Sequence, residues 1–327
     1  MIDFVGKRIW FAGLSAILVI ASIALLTVGP GLNEGIDFTG GTSTSLQFQD
    51  TSVRTDDVRT AFSAAGFGDA TIQNTGGGSF FIRTRVQDIQ AQDDILAALD
   101  RGYPGAYTRT EVTTVGKSVA DDTVSNAIQA IVVAAIFIVL FLFWAFRAVS
   151  SAYRYGLAAV IALAHDVLLT LGLFVILGEL INAEVNASFI VGTLTVIGYS
   201  VNDTIVVFDR IRENVRLGGG RTFRALVNQS LNESIMRSLG TSFTTGLVIV
   251  AMLLFGGETL RDFLLVLLAG VVIGTYSSIF VAPRYWFSGR SAASLAAAGL
   301  SRRNLPRSLL TAARRRARTC PGRAGAS

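Results

Sequence analysis

The sequence predicts a polytopic α-helical membrane protein with six transmembrane helices and one α+β domain between the first two of them. Of its 327 residues, 51% are hydrophobic and only 16% are charged, whereas soluble domains carry about 25% charged residues. Six apolar runs approach the ~20 residues that cross the bilayer core as a helix. The segment 30–122 contains no such run, which indicates a folded domain outside the membrane.

The six predicted spans are taken from the apolar runs in chain order. They lie at 9–28, 127–146, 155–177, 187–208, 239–255 and 263–280. The first run could also be a signal peptide, but it is too long for an apolar h-region and no A-x-A-like cleavage site follows it. The fifth run reaches bilayer length only if its helix begins near residue 235, which places Arg237 in or beside the hydrocarbon.

Orientation follows from the basic residues of the short loops. Lys and Arg concentrate before the first span and in every second loop after it, whereas the opposite loops carry only Arg261. The relevant residues are Lys7, Arg8, Arg147, Arg154, Arg210, Arg212, Arg216, Arg221, Arg224, Arg284 and Arg290. Since cytoplasmic loops are enriched in Lys and Arg, both termini are expected in the cytoplasm and the segment 30–122 outside the cell membrane.

The external segment has the pattern of a small α+β fold. Alternating apolar residues predict strands at 42–48, 70–73, 80–86 and 108–115, and helical periodicity predicts helices at 53–65 and 88–99. The order β-α-β-β-α-β is that of a ferredoxin-like domain. The domain boundaries expected from these elements are 1–29, 30–122, 123–287 and 288–327.

Composition excludes several classes of function. Nine Arg and no acidic residue lie in 288–327, so the basic net charge of +5 belongs to a tail and does not indicate nucleic-acid binding. We expect this tail to be disordered, cytoplasmic and attracted to anionic lipids. One His and one Cys, Cys320, cannot supply a metal site, and no Walker A motif occurs. We therefore expect no cofactor and no enzymatic activity.

Asp203 lies inside the fourth apolar run, where a carboxylate costs about 2.5–3.5 kcal/mol on insertion scales. Burial favours its neutral form and a nearby cation favours its charged form, so a balanced site can exchange protons. Arg237 is the candidate cation because the fifth span returns from the side by which the fourth leaves. The alternatives are a structural salt bridge or a rim position for Asp203, and an interfacial anchor role for Arg237.

Further polar residues accompany this pair in the apolar runs. His165 and Asp166 lie at the middle of the third span, and Asn202 and Thr204 flank the carboxylate of the fourth. His can carry protons near neutral pH, but a polar pair that connects helices explains His165 and Asp166 equally well. Asp209 and the charged residues after it are expected to form short-range charge pairs where the helix leaves the membrane.

These motifs together resemble the SecF family, whose members are the smaller subunits of the SecDF protein-export complex in the RND superfamily. The matching stretches are G-I-D-F-T-G-G-T at 35–42, A-H-D at 164–166, G-Y-S-V-N-D-T at 198–204, F-D-R-I-R-E-N at 208–214 and R-S-L-G-T-S at 237–242. The signature residues of the first stretch are Gly35, Asp37, Gly40 and Gly41. The resemblance covers about residues 1–287, and the tail is unlike a typical end of the family.

The resemblance implies a partner, SecD, and a role beside the SecYEG channel in export of preproteins. It implies that the proton-motive force drives the complex, with protons as the coupling ion, Asp203 as the relay carboxylate and Arg237 as its associated arginine. A second carboxylate would come from SecD. Two other functions stay open, an RND-type exporter of small molecules or lipids and a purely structural translocon subunit. An intramembrane aspartyl protease is disfavoured because Asp203 is not in a G-x-G-D motif.

Overall fold

The structure is a computed structural model, which describes residues 3–283 except 65, 69, 86–92, 94–96, 98–99, 102, 104–105, 146, 148–151, 218–221 and 258–259. Its elements in chain order are α1 (Arg8–Thr27), α2 (Ile36–Thr39), β1 (Gly41–Phe48), α3 (Thr55–Ala64), β2 (Thr71–Gly76), β3 (Ser79–Thr84), β4 (Tyr107–Val115), α4 (Lys117–Ala145), α5 (Ala152–Ile181), α6 (Ala187–Leu217), α7 (Phe223–Phe255) and α8 (Arg261–Phe280). The tail predicted at 288–327 lies outside the described residues.

All six predicted spans are confirmed as helices. Within the described residues, α1 and α4 to α8 are each long and apolar enough to cross a membrane. Together they form a helix bundle, in which α5, α6 and α8 hold most of the buried residues. The outer helices α1, α4 and α7 leave most of their apolar side chains exposed, as expected of helices that face lipid or another protein.

Three helices extend by more than two turns beyond their apolar runs. The helix α4 begins at Lys117, α7 begins at Phe223 and α6 continues to Leu217. The N-terminus of α7 is capped by Thr222, whose hydroxyl accepts a hydrogen bond from the backbone N–H of Ala225. Apolar side chains are needed only where a helix meets lipid, so an apolar run marks the span and not the ends of the helix.

The segment between α1 and α4 forms a four-stranded sheet, which we call the sheet domain together with α3. The strand order is β2-β3-β1-β4 and all three pairings are antiparallel. This is the order that a β-α-β-β-α-β chain adopts in a ferredoxin-like domain. Most of the second predicted helix, at 88–99, lies outside the described residues, so the complete ferredoxin-like domain stays a prediction. The core of the domain comprises Leu46, Phe48, Val58, Phe62, Ile72, Phe80 and Ile82.

Among the described residues, the helices α6 and α8 make the most extensive helix–helix contact in the bundle. A Cβ atom on Gly270 would overlap the side chain of Val196, and one on Gly274 would lie 3.0 Å from Cβ of Ser200. Glycine therefore lets the two backbones approach where any side chain would separate them. This close contact places the polar groups of α6 beside those of α8.

We predict that Gly270→Ala destabilises the bundle by about 1–3 kcal/mol, because the new methyl group overfills the α6–α8 contact. The thermal unfolding midpoint of the purified protein in detergent should fall. Gly240→Ala is the matched control, since a Cβ on Gly240 would meet nothing within 4 Å and alanine favours helix. Equal midpoints for the two variants would contradict the packing role of Gly270.

Candidate functional site

The carboxylate of Asp203 is held by two serine hydroxyls from neighbouring helices. Ser238 of α7 donates a hydrogen bond of 2.7 Å to Oδ1, and Ser278 of α8 donates one to Oδ2. The Asp203 side chain is half-buried. Each carboxylate oxygen therefore has a neutral hydrogen-bond donor, and three helices meet at this residue.

A second carboxylate, Asp166 of α5, is more deeply buried, with 1% of its surface exposed. Its Oδ2 accepts hydrogen bonds from Ser200 of α6, at 2.5 Å, and Ser277 of α8, at 2.7 Å. Nδ1 of His165 lies 3.0 Å from its Oδ1. Asp166 thus connects α5, α6 and α8. His165 and Asp166 bond each other on the same helix, and the hydrogen bonds to the other two helices are made by Asp166.

The two carboxylates belong to one polar region of the bundle. Their donors Ser277 and Ser278 are adjacent in α8, and Ser200 precedes Asp203 by about one helical turn. Further hydroxyl pairs extend the region to Tyr199–Ser242 and Ser242–Thr275. The sequence analysis did not identify these serines and threonines. The signal was the occurrence of small hydroxyl residues at 275–278 in a strongly apolar helix.

Arg237 does not contact Asp203 among the residues that the structure describes. The neighbour of Arg237, Ser238, occupies the place beside the carboxylate, and the Arg237 side chain lies on the exposed surface of α7. Successive helical residues point about 100° apart, so both cannot face the same atom. Arg237 instead lines a polar cavity with Asp209, Glu213 and Glu233.

The other predicted polar residues differ in burial. Thr204 is buried and Asn202 is exposed, on opposite sides of Asp203 along α6. His165 is buried, and its Nε2 has no hydrogen-bond partner within the described part of the chain. The structure therefore brings Asp203, Asp166 and His165 into the bundle interior and leaves Asn202 and Arg237 on its surface.

Beyond Asp203, α6 and α7 are joined by charged residues. Arg210 binds Glu213 on its own helix, at 2.5 Å, and Glu233 on α7, at 2.7 Å. Asn214 donates to the same Glu233 oxygen at 2.8 Å. The short-range pairs expected here are confirmed, and the link to α7 is an addition that the sequence analysis missed.

The signature residues lie at the other end of the bundle, where the sheet domain meets α6. Asp37 lies in the short helix α2, Gly35 precedes this helix, Gly40 follows it and Gly41 begins β1. Oδ2 of Asp37 accepts a 2.8 Å hydrogen bond from the backbone N–H of Ala187, in the first turn of α6. Gly41 has φ of 139°, and a Cβ there would lie 2.5 Å from the carbonyl oxygen of Thr84. Glycine is therefore required where α2 passes into the sheet.

A buried ion pair lies beside this junction. Arg83 of β3 contacts Glu184, in the loop between α5 and α6, and the two residues are 7% and 6% exposed. Burial, with smaller contributions from Asp262 and Asp37, outweighs the attraction of Arg83 and raises the pKa of Glu184 to about 7. Burial also lowers the pKa of Arg83, which remains charged. These residues line a polar cavity of about 220 Å³.

Comparison with protein families identifies two matching regions. The family described as protein export membrane protein SecD/SecF, C-terminal, matches residues 96–290, and the SecD/SecF GG motif matches residues 26–52. Protein translocase subunit SecF of Thermobaculum terrenum is 41% identical over 291 residues, which are 86% of this chain and 91% of the relative. The chain belongs to the SecF family. SecF of Desulfurispirillum indicum is 39% identical over 87% of this chain and 91% of the relative.

Solved structures of SecDF agree with this SecF assignment. The crystal structure of SecDF from Thermus thermophilus, a translocon-associated membrane protein, matches with a TM-score of 0.77 and 32% identity over 89% of this chain. SecDF in a super-membrane-facing form matches with a TM-score of 0.64 and 30% identity over 90% of this chain. The chain spans 39% and 40% of those two chains. The predicted resemblance is confirmed, and the chain is a multi-pass membrane protein and a translocase subunit of the SecDF type.

We predict that attachment of the sheet domain to α6 weakens as the pH rises from 6 to 8. An exposed glutamate has its pKa near 4.5 and the buried Glu184 near 7, so the attached state binds the proton more tightly. Attachment is favoured most below pH 4.5, and this advantage is lost as the pH rises through 7. The amides of Gly35 and Val185, which bond between the two parts, should lose about tenfold in protection from hydrogen exchange between pH 6 and 8.

The measurement is hydrogen exchange of the purified protein, corrected for the intrinsic pH dependence of amide exchange. Glu184→Gln should remove the pH dependence, because glutamine cannot ionise. Protection that is equal at pH 6 and 8 in the wild type would contradict the raised pKa of Glu184.

Proposed function

We propose that this chain pairs with SecD in a complex that uses the proton-motive force to assist export of preproteins through the SecYEG channel. Asp203 takes up and releases the proton, and the resulting change in packing moves the external domains that hold the emerging chain. Membership of the SecF family and the likeness to SecDF structures support the setting. The geometry around Asp203 supports the proton role.

The observation that carries this proposal is that Asp203 is bonded by hydroxyl groups among helices that span the membrane. A serine hydroxyl can donate to a carboxylate and can also accept from a carboxylic acid. Ser238 and Ser278 can therefore satisfy Asp203 in both protonation states. A fixed ion pair could not, because protonation would leave the cation without a partner.

We propose that Arg237 acts on Asp203 from the exposed surface of α7, as part of the surface on which SecD packs. There the second carboxylate, supplied by SecD, would compete with Asp203 for the arginine. Asn202 is exposed on the adjoining face of α6 and would take part in the same contact, while the buried Thr204 supports Asp203 from within. This arrangement makes the cation modulate the carboxylate only in the assembled complex.

The available energy limits what each proton does. One elementary charge that crosses 100 mV releases about 2.3 kcal/mol, which shifts a two-state equilibrium almost 50-fold since 1.4 kcal/mol is tenfold. That is enough to change the packing of α6 against α7 and α8. It is too little to unfold a substrate domain, so repeated cycles or trapping of backward sliding must move the preprotein.

The proposal includes an orientation. With both termini in the cytoplasm, the sheet domain lies outside the cell membrane and Asp203 lies nearer the cytoplasmic end of α6, about 24 Å along the axis from Ala187 at 1.5 Å per residue. Protons would enter from the side of the sheet domain. The basic tail at 288–327 would then lie on the cytoplasmic leaflet, where anionic lipids attract arginine.

One alternative has an observation in its favour. Asp166, with its three partners on α5, α6 and α8, shows that a carboxylate can simply connect helices in this bundle. If Asp203 does the same, the chain is a structural translocon subunit. The two functions differ in whether export depends on a proton gradient through Asp203.

We predict that Asp203→Asn, reconstituted with SecD and SecYEG in vesicles, loses the stimulation of export by a proton gradient. Asparagine keeps the size of the side chain but cannot exchange a proton. Asp121→Asn is the matched control, because Asp121 is an exposed carboxylate paired with Lys117 on α4. Gradient-stimulated export at the wild-type level in Asp203→Asn would leave only the structural function.

We predict that gradient-stimulated export depends more on the positive charge of Arg237 than on the hydrogen-bonding geometry of its guanidinium group. Arg237→Lys keeps the positive charge and should retain a substantial part of gradient-stimulated export, whereas Arg237→Gln should lose most of it. The same vesicle assay measures both variants. Full activity of Arg237→Gln would show that Arg237 is only an interfacial anchor.

A further inference from the structure

The loop between α5 and α6 is bonded at residues 182–185 to the sheet domain and to the segment 33–40 that precedes it. The backbone N–H of Gly35 donates to the carbonyl of Val185, and the N–H of Val185 donates to the carbonyl of Asn33, each at 2.9 Å. Nε2 of Gln73, on β2, donates to the carbonyl of Asn182 at 2.8 Å. These hydrogen bonds connect the sheet domain, through the loop, to the start of α6.

Two charged contacts secure the same junction. Asp37 accepts from the N–H of Ala187, where a carboxylate is favoured by the partial positive charge of the helix N-terminus. Arg83 and Glu184 form a buried pair between β3 and the loop. Replacement of Arg83 by an acidic residue would bury two carboxylates beside each other without a cation, which strongly disfavours the attached state.

The segment from Asp37 to the sheet is short and constrained. The helix α2 ends at Gly40 and β1 begins at the next residue. Gly40 and Gly41 both have positive φ, of 73° and 139°, and Gly41 leaves no room for a side chain against the backbone of β3. A movement of α6 along its axis is therefore passed to β1 directly.

We propose that Asp37, Arg83 and Glu184 form a latch that makes the sheet domain move together with the outer end of α6, so that a change at Asp203 is passed to the external domain. These are positioning residues, because none of them touches the proton that Asp203 exchanges. The inference rests on the proposed function. It assigns a mechanical role to the Asp of the GG motif and to an ion pair outside the motifs noted in the sequence.

If the latch exists, breaking it should reduce export without reducing proton conduction. A simple loss of structure would reduce both. Two variants are tested in the complex with SecD and SecYEG. Arg83→Glu places a fourth carboxylate beside those of Glu184, Asp37 and Asp262. Asp37→Ala removes the side chain that accepts the hydrogen bond from the N–H of Ala187. Both variants should conduct protons close to the wild-type rate, because Asp203 and its serines are unchanged. Both should lose at least about fivefold of the gradient-stimulated export. Vesicles with an internal pH dye measure proton influx, and protease protection of a preprotein measures export.

Two further variants complete the test. The double variant Arg83→Glu with Glu184→Arg reverses the pair and should recover most of the export that Arg83→Glu loses. Arg59→Glu is the control, because Arg59 lies in the same domain and its ion pair with Asp56 is exposed. If Arg83→Glu does not accumulate in the membrane, Asp37→Ala decides the question by its ratio of proton influx to export.

Each result has a defined consequence. Wild-type export in Arg83→Glu and Asp37→Ala overturns the latch, and so does a parallel loss of proton influx and export. If Asp203→Asn is inactive while the latch variants behave as wild type, the proposed function stands and only the latch fails. If the wild-type complex shows no gradient-dependent influx, the proposed function fails and the latch fails with it.

Discussion

The bundle depends on how a carboxylate is accommodated among helices that lipid surrounds. A charged group is costly in this setting unless polar groups replace water, and Asp203 meets that need with hydroxyls from α7 and α8. Those hydroxyls reach it only if the three helices lie close together. The glycines of α8 allow that approach, so the packing of the bundle and the chemistry of the site have one physical origin.

At the other end of α6, a buried carboxylate is stabilised in a different way. There Glu184 has a cation, Arg83, in direct contact, and further carboxylates nearby. A buried ion pair fixes geometry because either charge alone is unfavourable. The hydroxyl site can satisfy Asp203 in both protonation states, whereas the ion pair joins the sheet domain to the loop before α6. The helix α6 thus carries Asp203, which can change protonation, and at its N-terminal end it is attached to the sheet domain.

The sequence predicted the six spans, the order of the strands and the position of Asp203 within an apolar helix, since these depend on local patterns of apolar and polar residues. It did not predict the partners of Asp203. Ser238 and Ser278 lie 35 and 75 residues further along the chain, and only the packing of α7 and α8 brings them together. Periodicity also could not show that Ser238, and not its neighbour Arg237, faces the carboxylate. The latch was missed because Glu184 follows the third span as an ordinary loop residue.

The exposed position of Arg237 on α7 also has a physical explanation. Its side chain is exposed on α7 in the isolated chain, close to the level at which Asp203 is held, and it lines a cavity with Asp209, Glu213 and Glu233. An arginine that faces hydrocarbon is costly, and acidic neighbours, headgroups reached by snorkelling, or the surface of a partner protein that offers a carboxylate reduce that cost. Asn202 is exposed on the neighbouring face of α6, and an amide gains nothing from lipid tails. Two polar groups on adjoining faces are better satisfied by a protein surface than by lipid, which agrees with the proposal that SecD packs on this face.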